Sequence, residues 1–316
     1  MMKAVATLDG ELRTVAAGHA GGDTRPAARS RFADYRELTK PRIALMALFT
    51  VAAGYMLGAG ADGSARVLFH TLLGAGLVAA GGSALNQLIE RRTDSRMRRT
   101  ANRPLPAGRM SPEEVAVFGA VLSGFGLAYM LATVSLAATV AAAVTLVFYA
   151  FVYTPLKTLT EWNTVVGAIP GALPPVIGWC AARGVTGADG AFALFLVLFL
   201  WQLPHFYAIA WMYRADYSRA GLKMLPGTDP TGKRTAIAMV LTAVALVAAT
   251  GFVVYIGMAG VFFAIGAALL GVMFVRRTIG FARNRTDREA RRVMFASLLY
   301  LPGVFTLLLV DALLLR

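Results

Sequence analysis

The chain has 316 residues, 57% of them hydrophobic, a formal net charge of +14 and a single cysteine, Cys180. A lone cysteine excludes a disulfide framework and a thiolate metal centre. The positive charge does not mark a partner for nucleic acid, because its distribution follows membrane topology instead.

The apolar residues fall in nine runs: 43–60, 67–89, 114–132, 136–154, 162–182, 190–212, 236–256, 260–275 and 294–315. Each is close to the ~20 residues a helix needs to cross ~30 Å of hydrocarbon. Backbone groups in lipid must bond within their own helix, so the expected fold is all-α. It is a polytopic membrane protein with nine transmembrane helices over residues 41–316, preceded by a tail at 1–40. With the amino terminus cytoplasmic, the tail and the even-numbered loops hold 28 of the 31 Lys and Arg. Only Arg66, Arg183 and Arg316 fall on the other side, a positive-inside bias that leaves the carboxyl terminus outside.

In chain order, residues 1–40 are polar and rich in Ala, Gly and Arg, without the apolar core of a cleaved signal. Their seven basic residues suit an organellar targeting peptide, but Asp9, Glu11, Asp23, Asp34 and Glu37 oppose it; a disordered cytoplasmic tail is expected. Lys40-Pro41-Arg42 then opens the first helix, with proline where its missing N–H does no harm. The second run carries Gly74, Gly76, Gly81, Gly82 and Ser83, small residues that admit a close neighbour.

That run leads into the most informative stretch, Asn86 to Arg109. Asn86, Glu90 and Asp94 are spaced i, i+4, i+8 and share one helix face. Hydrocarbon offers them no hydration, so such groups usually mark a site. If helical throughout, Val67 to Asp94 spans ~42 Å, so Glu90 and Asp94 are expected to emerge at the surface with Asn86 just beneath. A basic run and a turn, Asn102-Arg103-Pro104-Leu105-Pro106-Ala107-Gly108-Arg109, follow.

Runs three and four read as a tight antiparallel pair. The next inner loop holds Tyr153-Thr154-Pro155-Leu156-Lys157, with one conspicuous lysine. Run five contains Gly167-Ala168-Ile169-Pro170-Gly171-Ala172-Leu173-Pro174-Pro175, which must bend or break its helix. Run six ends in Trp201-Gln202-Leu203-Pro204-His205-Phe206-Tyr207, with Gln202 and His205 on one face and Tyr213 beyond, expected to face the interior together. Its loop, from Asp216 to Leu225-Pro226-Gly227, echoes the first: a carboxylate, basic residues, then a Leu-Pro turn. Such an echo across four helices suits an old internal repeat. The stretch 276–293, with seven Arg and two acids, reads as an interfacial helix facing anionic lipid.

Amide and carboxylate oxygens are hard ligands suited to Mg²⁺, which is usually completed by water and substrate phosphate. The three donors span ~12 Å along the helix, so either two ions bind or one donor orients water. Nearby Arg and Lys would pair an anion brought with the metal, and diphosphate fits best. A diphosphate site at a greasy bundle implies a substrate with a polar head and an apolar tail.

At these residues the chain resembles a known family. Asn86-x3-Glu90-x3-Asp94 is similar to the first metal motif of the UbiA prenyltransferase superfamily, with Glu where many members have Asp. Further wording resembles its haem-farnesylating branch: Leu38-Thr39-Lys40-Pro41-Arg42, Arg99-Thr100…Arg103-Pro104-Leu105-Pro106, Tyr153-Thr154…Lys157, Trp201-Gln202…Pro204-His205-Phe206 and Asp216-Tyr217…Met224-Leu225-Pro226. The resemblance implies nine helices around a central cavity, capped on the cytoplasmic side of a bacterial inner membrane. It implies transfer of a farnesyl group from farnesyl diphosphate to a vinyl group of haem B, with water added, giving haem O and diphosphate. Haem A synthase and terminal oxidase assembly are the implied partners.

Carried over by position, Asn86, Glu90 and Asp94 would hold Mg²⁺, with Mn²⁺ the alternative. Arg98 or Arg99, Arg103 and Lys157 would grip the phosphates, beside Tyr153. Asp216 would be what remains of a second metal motif; Met212 and Tyr213 stand where many members carry another acid, which leaves open one metal or two. His205, by default a packing residue, would ligate haem iron or orient a propionate, near Gln202 and Tyr213. Two readings compete: a quinone-precursor acceptor on the same scaffold, and a transporter or haem-delivery protein.

Overall fold

The computed structural model describes residues 30–314, so what the sequence suggests for residues 1–29 lies outside the described residues. The first element, α1 (Arg31–Leu38), falls inside the expected tail. The boundary at residue 40 therefore moves. Ser30 caps the helix by accepting from Ala33 N, and Leu38 is fully buried. Asp34 pairs with Arg109 at 2.8 Å, Tyr35 donates to Glu114 at 2.5 Å, and Gln87 donates to the Leu38 carbonyl at 3.0 Å. Charge pattern alone hides these contacts, because every partner lies far along the chain.

Nine helices among the described residues are long and apolar enough to cross a membrane, and none of those residues forms a strand. The first is α2 (Pro41–Ala59), continued by one 3-10 turn at Gly60–Asp62. Ser64 starts α3 (Ala65–Asp94), which runs 30 residues with no proline to stop it. Ser111 and Pro112 open α4 (Pro112–Thr133), with Glu113 and Glu114 in its first turn. The fourth span joins α5 (Leu136–Val147), a π-helical turn at Phe148–Tyr153, and α6 (Thr154–Leu159). As the prolines require, the fifth span is broken at Leu173 into α7 (Asn163–Ala172) and α8 (Pro174–Arg183). Then come α9 (Ala188–Met212), two short helices α10 (Arg214–Arg219) and α11 (Leu225–Thr228), and three more spans: α12 (Lys233–Tyr255), α13 (Val261–Asn284) and α14 (Asp287–Leu314).

The first span meets the last, since α2 packs on α3, α8 and α14. Its contact with α8 is backbone on backbone: a Cβ on Gly54 would lie 2.0 Å from the Pro175 carbonyl oxygen, and one on Gly178 1.9 Å from that of Val51. Separate buried clusters fill the two halves of the bundle, around Val51, Val78, Met130 and Ile177 in one and Phe263, Phe274, Tyr300 and Phe305 in the other.

The arginine-rich stretch 276–293 is not an interfacial helix. α13 carries on to Asn284, Arg285 turns the chain at φ 48°, and α14 begins at Asp287. Buried Phe274, Thr278 and Phe281, then Ala290, Val293 and Ser297, keep the helical period through the charged stretch. The arginines occupy the outer face and extend both spans, because their long stems lie along apolar surface while the heads reach water.

Candidate functional site

The site grows from the last three turns of α3. Its donors Asn86, Glu90 and Asp94 each meet a cation from a different segment. Lys40 Nζ, at the start of α2, donates to Asn86 Oδ1 at 2.9 Å. Lys157, on α6, pairs with Glu90. Arg103, from the loop after α3, donates to Asp94 Oδ2 at 2.6 Å.

Local structure explains each placement. Pro155 cannot donate an N–H, and its ring crowds the carbonyl four residues back. The helix relaxes there into the π-turn at Phe148–Tyr153. Thr154 Oγ1 donates to the Tyr149 carbonyl at 2.8 Å and accepts from Asn86 Nδ2 at 2.9 Å. That fixes the Asn86 amide with its oxygen toward Lys40. One turn on, the Lys157 ammonium lies 4.3 Å from the centre of the Tyr153 ring, a cation–π contact. Gly167 makes room for that ring, since a Cβ there would fall 2.4 Å from it.

The surface expectation for Glu90 and Asp94 fails. The loop after α3 folds back over them: Thr100 Oγ1 donates to the Asp94 carbonyl at 2.8 Å, and Gly108 (φ 68°) completes the turn. Asp94 is only 1% exposed, and the Glu90 and Lys157 side chains are each 13% exposed. The second loop joins this roof. Met97 packs with Ala220, Leu222 and Tyr217, and Arg99 donates to Tyr217 Oη at 3.4 Å. Lys223 N donates to the Lys157 carbonyl at 2.7 Å, and Asn163 Nδ2 to the Lys223 carbonyl at 2.8 Å.

The other expected residues are spread more widely. Arg99 lies over the Tyr213 ring, 5.5 Å from its centre, while Arg98 is exposed and forms no bond or ion pair among the described residues. Asp216 pairs with Arg219 at 3.1 Å rather than with any group from α3. Gln202 and His205 do not share a direction. Gln202 Nε2 donates to the Leu198 carbonyl at 3.0 Å and reaches the Ala168 carbonyl on α7 at 3.4 Å, filling the space that Gly171 leaves. His205 Nδ1 bonds Ser297 Oγ on α14 at 2.7 Å and stacks on Trp201. Three helical residues leave two side chains ~60° apart, enough to give them different neighbours.

Sequence reasoning left out Lys40, Thr154 and Tyr217, although all three lie in the quoted motifs. The structure itself singles out Lys40: its backbone is left-handed (φ 46°) just before a proline, a conformation that costs energy for a lysine. Burial pushes its ammonium down to about 8, and Arg103 and Lys157 add repulsion. Burial also pushes the Tyr217 phenol above its ordinary value.

The donor set suits a hard divalent cation. Asp94 Oδ1 is buried with no hydrogen-bond partner, an atom that a cation or a water would complete. No three His, Cys, Asp or Glu among the described residues group closely enough to hold a metal by themselves. A cation at α3 would therefore need oxygens from its ligand, as Mg²⁺ usually does.

These features define a polytopic helical membrane protein with a roofed site of hard oxygens and matched cations at one end of its bundle. The chain belongs to the UbiA prenyltransferase family, whose model matches residues 47–299. Among similar proteins are the protoheme IX farnesyltransferases of Solibacter usitatus and Salinibacter ruber. The first is 44% identical over 287 residues, and the second 44% over 280; each alignment covers 88% of this chain and 98% of the relative. Solved structures share the fold at 18% identity. A digeranylgeranylglyceryl phosphate synthase aligns with a TM-score of 0.76 over 89% of this chain and 98% of that one. A UbiA homolog from Archaeoglobus fulgidus, bound to GPP and Mg²⁺, aligns at 0.62 over 87% and 99%.

Proposed function

We propose that the protein transfers the farnesyl group of farnesyl diphosphate to a vinyl group of haem B with addition of water, giving haem O and diphosphate. The names of its relatives support the substrates. One structural observation carries the site assignment: three donors on one face of α3, each matched by a cation from another segment.

Mg²⁺, with Mn²⁺ the alternative, would be held at Asn86, Glu90 and Asp94, either as two ions or as one with the remaining donor orienting water, and would neutralise charge on the departing diphosphate. Asp216, whose neighbour Tyr217 packs in the roof over α3, is the candidate for a further donor. Were Glu90 and Asp94 to bind the metal, Lys157 and Arg103 would be free to pair with phosphate oxygens, joined by Lys40 and Arg99. Tyr153 keeps Lys157 aimed along α6. The allylic C–O bond breaks with its electron pair on diphosphate, and the vinyl π electrons form the new C–C bond. Water then adds to the resulting cation and gives up a proton. The roof over α3 keeps other water from the first cation.

His205 is our candidate for the haem contact. Ser297 holds its Nδ1 and leaves Nε2 for the iron or a propionate, the arrangement of metal-binding histidines. The basic end of the bundle would face the cytoplasm of a bacterial inner membrane, with the product passing to terminal oxidases, directly or through haem A synthase. The test is to incubate membranes containing the protein with haem B and farnesyl diphosphate and to look for haem O by mass. Prenylated hydroxybenzoate in its place would move the acceptor to a quinone precursor. Intact substrates with haem carried across the bilayer would move the protein to another class.

A further inference from the structure

On the side of the bundle formed by α12 and α13, at the same end as the site, lies a recess of 440 Å³. Lys233, the first residue of α12, and Arg285, the turn residue after α13, stand at its mouth, and Ile237 and Leu241 form its floor. Ile237 and Leu241 are 59% and 63% exposed and one helical turn apart, a strip running from the cations toward the middle of the membrane.

The charge at this mouth is unmatched. Between Arg276 and Val293 there are seven arginines and two acids. Both acids are taken, Asp287 by Arg214 at 2.7 Å and Glu289 by Arg292. Near the start of α12, Glu161 is held by Arg234, and Asp229 accepts from Thr235 N at 2.9 Å and Thr235 Oγ1 at 3.0 Å. Neither Lys233 nor Arg285 has an ion pair with a described acid. Arg285 is also held in place. A Cβ on Gly232 would fall 3.1 Å from Arg285 Cδ, so the arginine stem lies across that glycine. Its backbone is left-handed at a helix end where glycine is the usual residue.

Two unpaired cations above an apolar strip match one class of molecule, an amphiphile with an anionic head. We propose that this recess binds an anionic phospholipid, its phosphodiester between Lys233 and Arg285 and an acyl chain along Ile237 and Leu241. A lipid there would clasp α12 to α13 by pairing charges from both.

The test uses the purified full chain in detergent, titrated with dioleoyl phosphatidylglycerol or dioleoyl phosphatidylcholine and read by native mass spectrometry. The wild type binds one phosphatidylglycerol in preference to phosphatidylcholine. Lys233→Gln/Arg285→Gln weakens that lipid by about fivefold per cation removed and leaves phosphatidylcholine unchanged. Arg277→Gln/Arg291→Gln, on the same hairpin but outside the recess, keeps the preference. Ile237→Trp, which fills the floor and spares both cations, also weakens phosphatidylglycerol. Equal binding of the two lipids overturns the proposal, as does an equal loss in both double variants, which would mean diffuse charge. An unaltered Ile237→Trp overturns the acyl-chain placement. Lipid mass is the readout, so the result stands apart from turnover.

Discussion

The loops after α3 and α9 echo one another in sequence, yet the ends of those two helices handle polarity in opposite ways. At the end of α3, Asn86 and Asp94 are buried and Glu90 is mostly covered, and each is answered by a cation brought from elsewhere. At the end of α9 no carboxylate takes that place: Gln202 is buried and satisfied by backbone carbonyls, and His205 is held by Ser297. The acid there, Asp216, lies past the helix, paired with an exposed arginine three residues on. Burying a charge is expensive unless it is matched, and of these two helix ends only that of α3 bears the expense. On the proposed function, this difference assigns the diphosphate head to α3 and leaves the α9 end for a bulky, weakly polar partner.

The largest effect that would break this contrast is on turnover. Glu90→Ala or Asp94→Ala should lower haem O formation by at least about 10²–10³-fold, the scale for removing an electrostatic contributor, with folded protein still recovered by size exclusion. Activity retained in both would end the assignment to α3. Stability sharpens the same point. Lys157→Met leaves Glu90 buried and unpaired and should cost about 3–5 kcal/mol in thermal unfolding, most of it regained in Glu90→Gln/Lys157→Met. If the double variant unfolds as early as the single, the lysine matters for packing rather than charge. Asp216→Asn should weaken the Mg²⁺ dependence of turnover by about tenfold, well short of the α3 variants. A loss as deep as that of Glu90→Ala would make the two ends equal. Arg219→Ala, at an exposed pair, should move stability by less than about 0.5 kcal/mol.

Most of the architecture could be read from residue order. The run 43–60 became Pro41–Ala59, and Pro170, Pro174 and Pro175 announced the break at Leu173. Hydrophobic period and proline stereochemistry are local properties, so a linear chain displays them. The donors on α3 were visible for the same reason, four residues apart on one helix. Their partners were not. Lys157 meets Glu90 across 67 positions and Lys40 meets Asn86 across 46, distances over which only tertiary packing decides. The same limit hid the roof over Asp94, which depends on where a proline-rich loop returns. It also hid the different neighbours of Gln202 and His205, each set by an adjoining helix.

The widened turn at Phe148–Tyr153 has a further consequence. It takes in one residue more than an α-turn, which resets the angular frame of everything after it by ~100°. Lys157 therefore faces Glu90 by virtue of a single surplus peptide. Removing one residue there, Val152 for example, would leave a membrane anchor of nearly unchanged length and swing the ammonium toward a different wall. The span would keep its place in the bilayer and lose its part in the reaction.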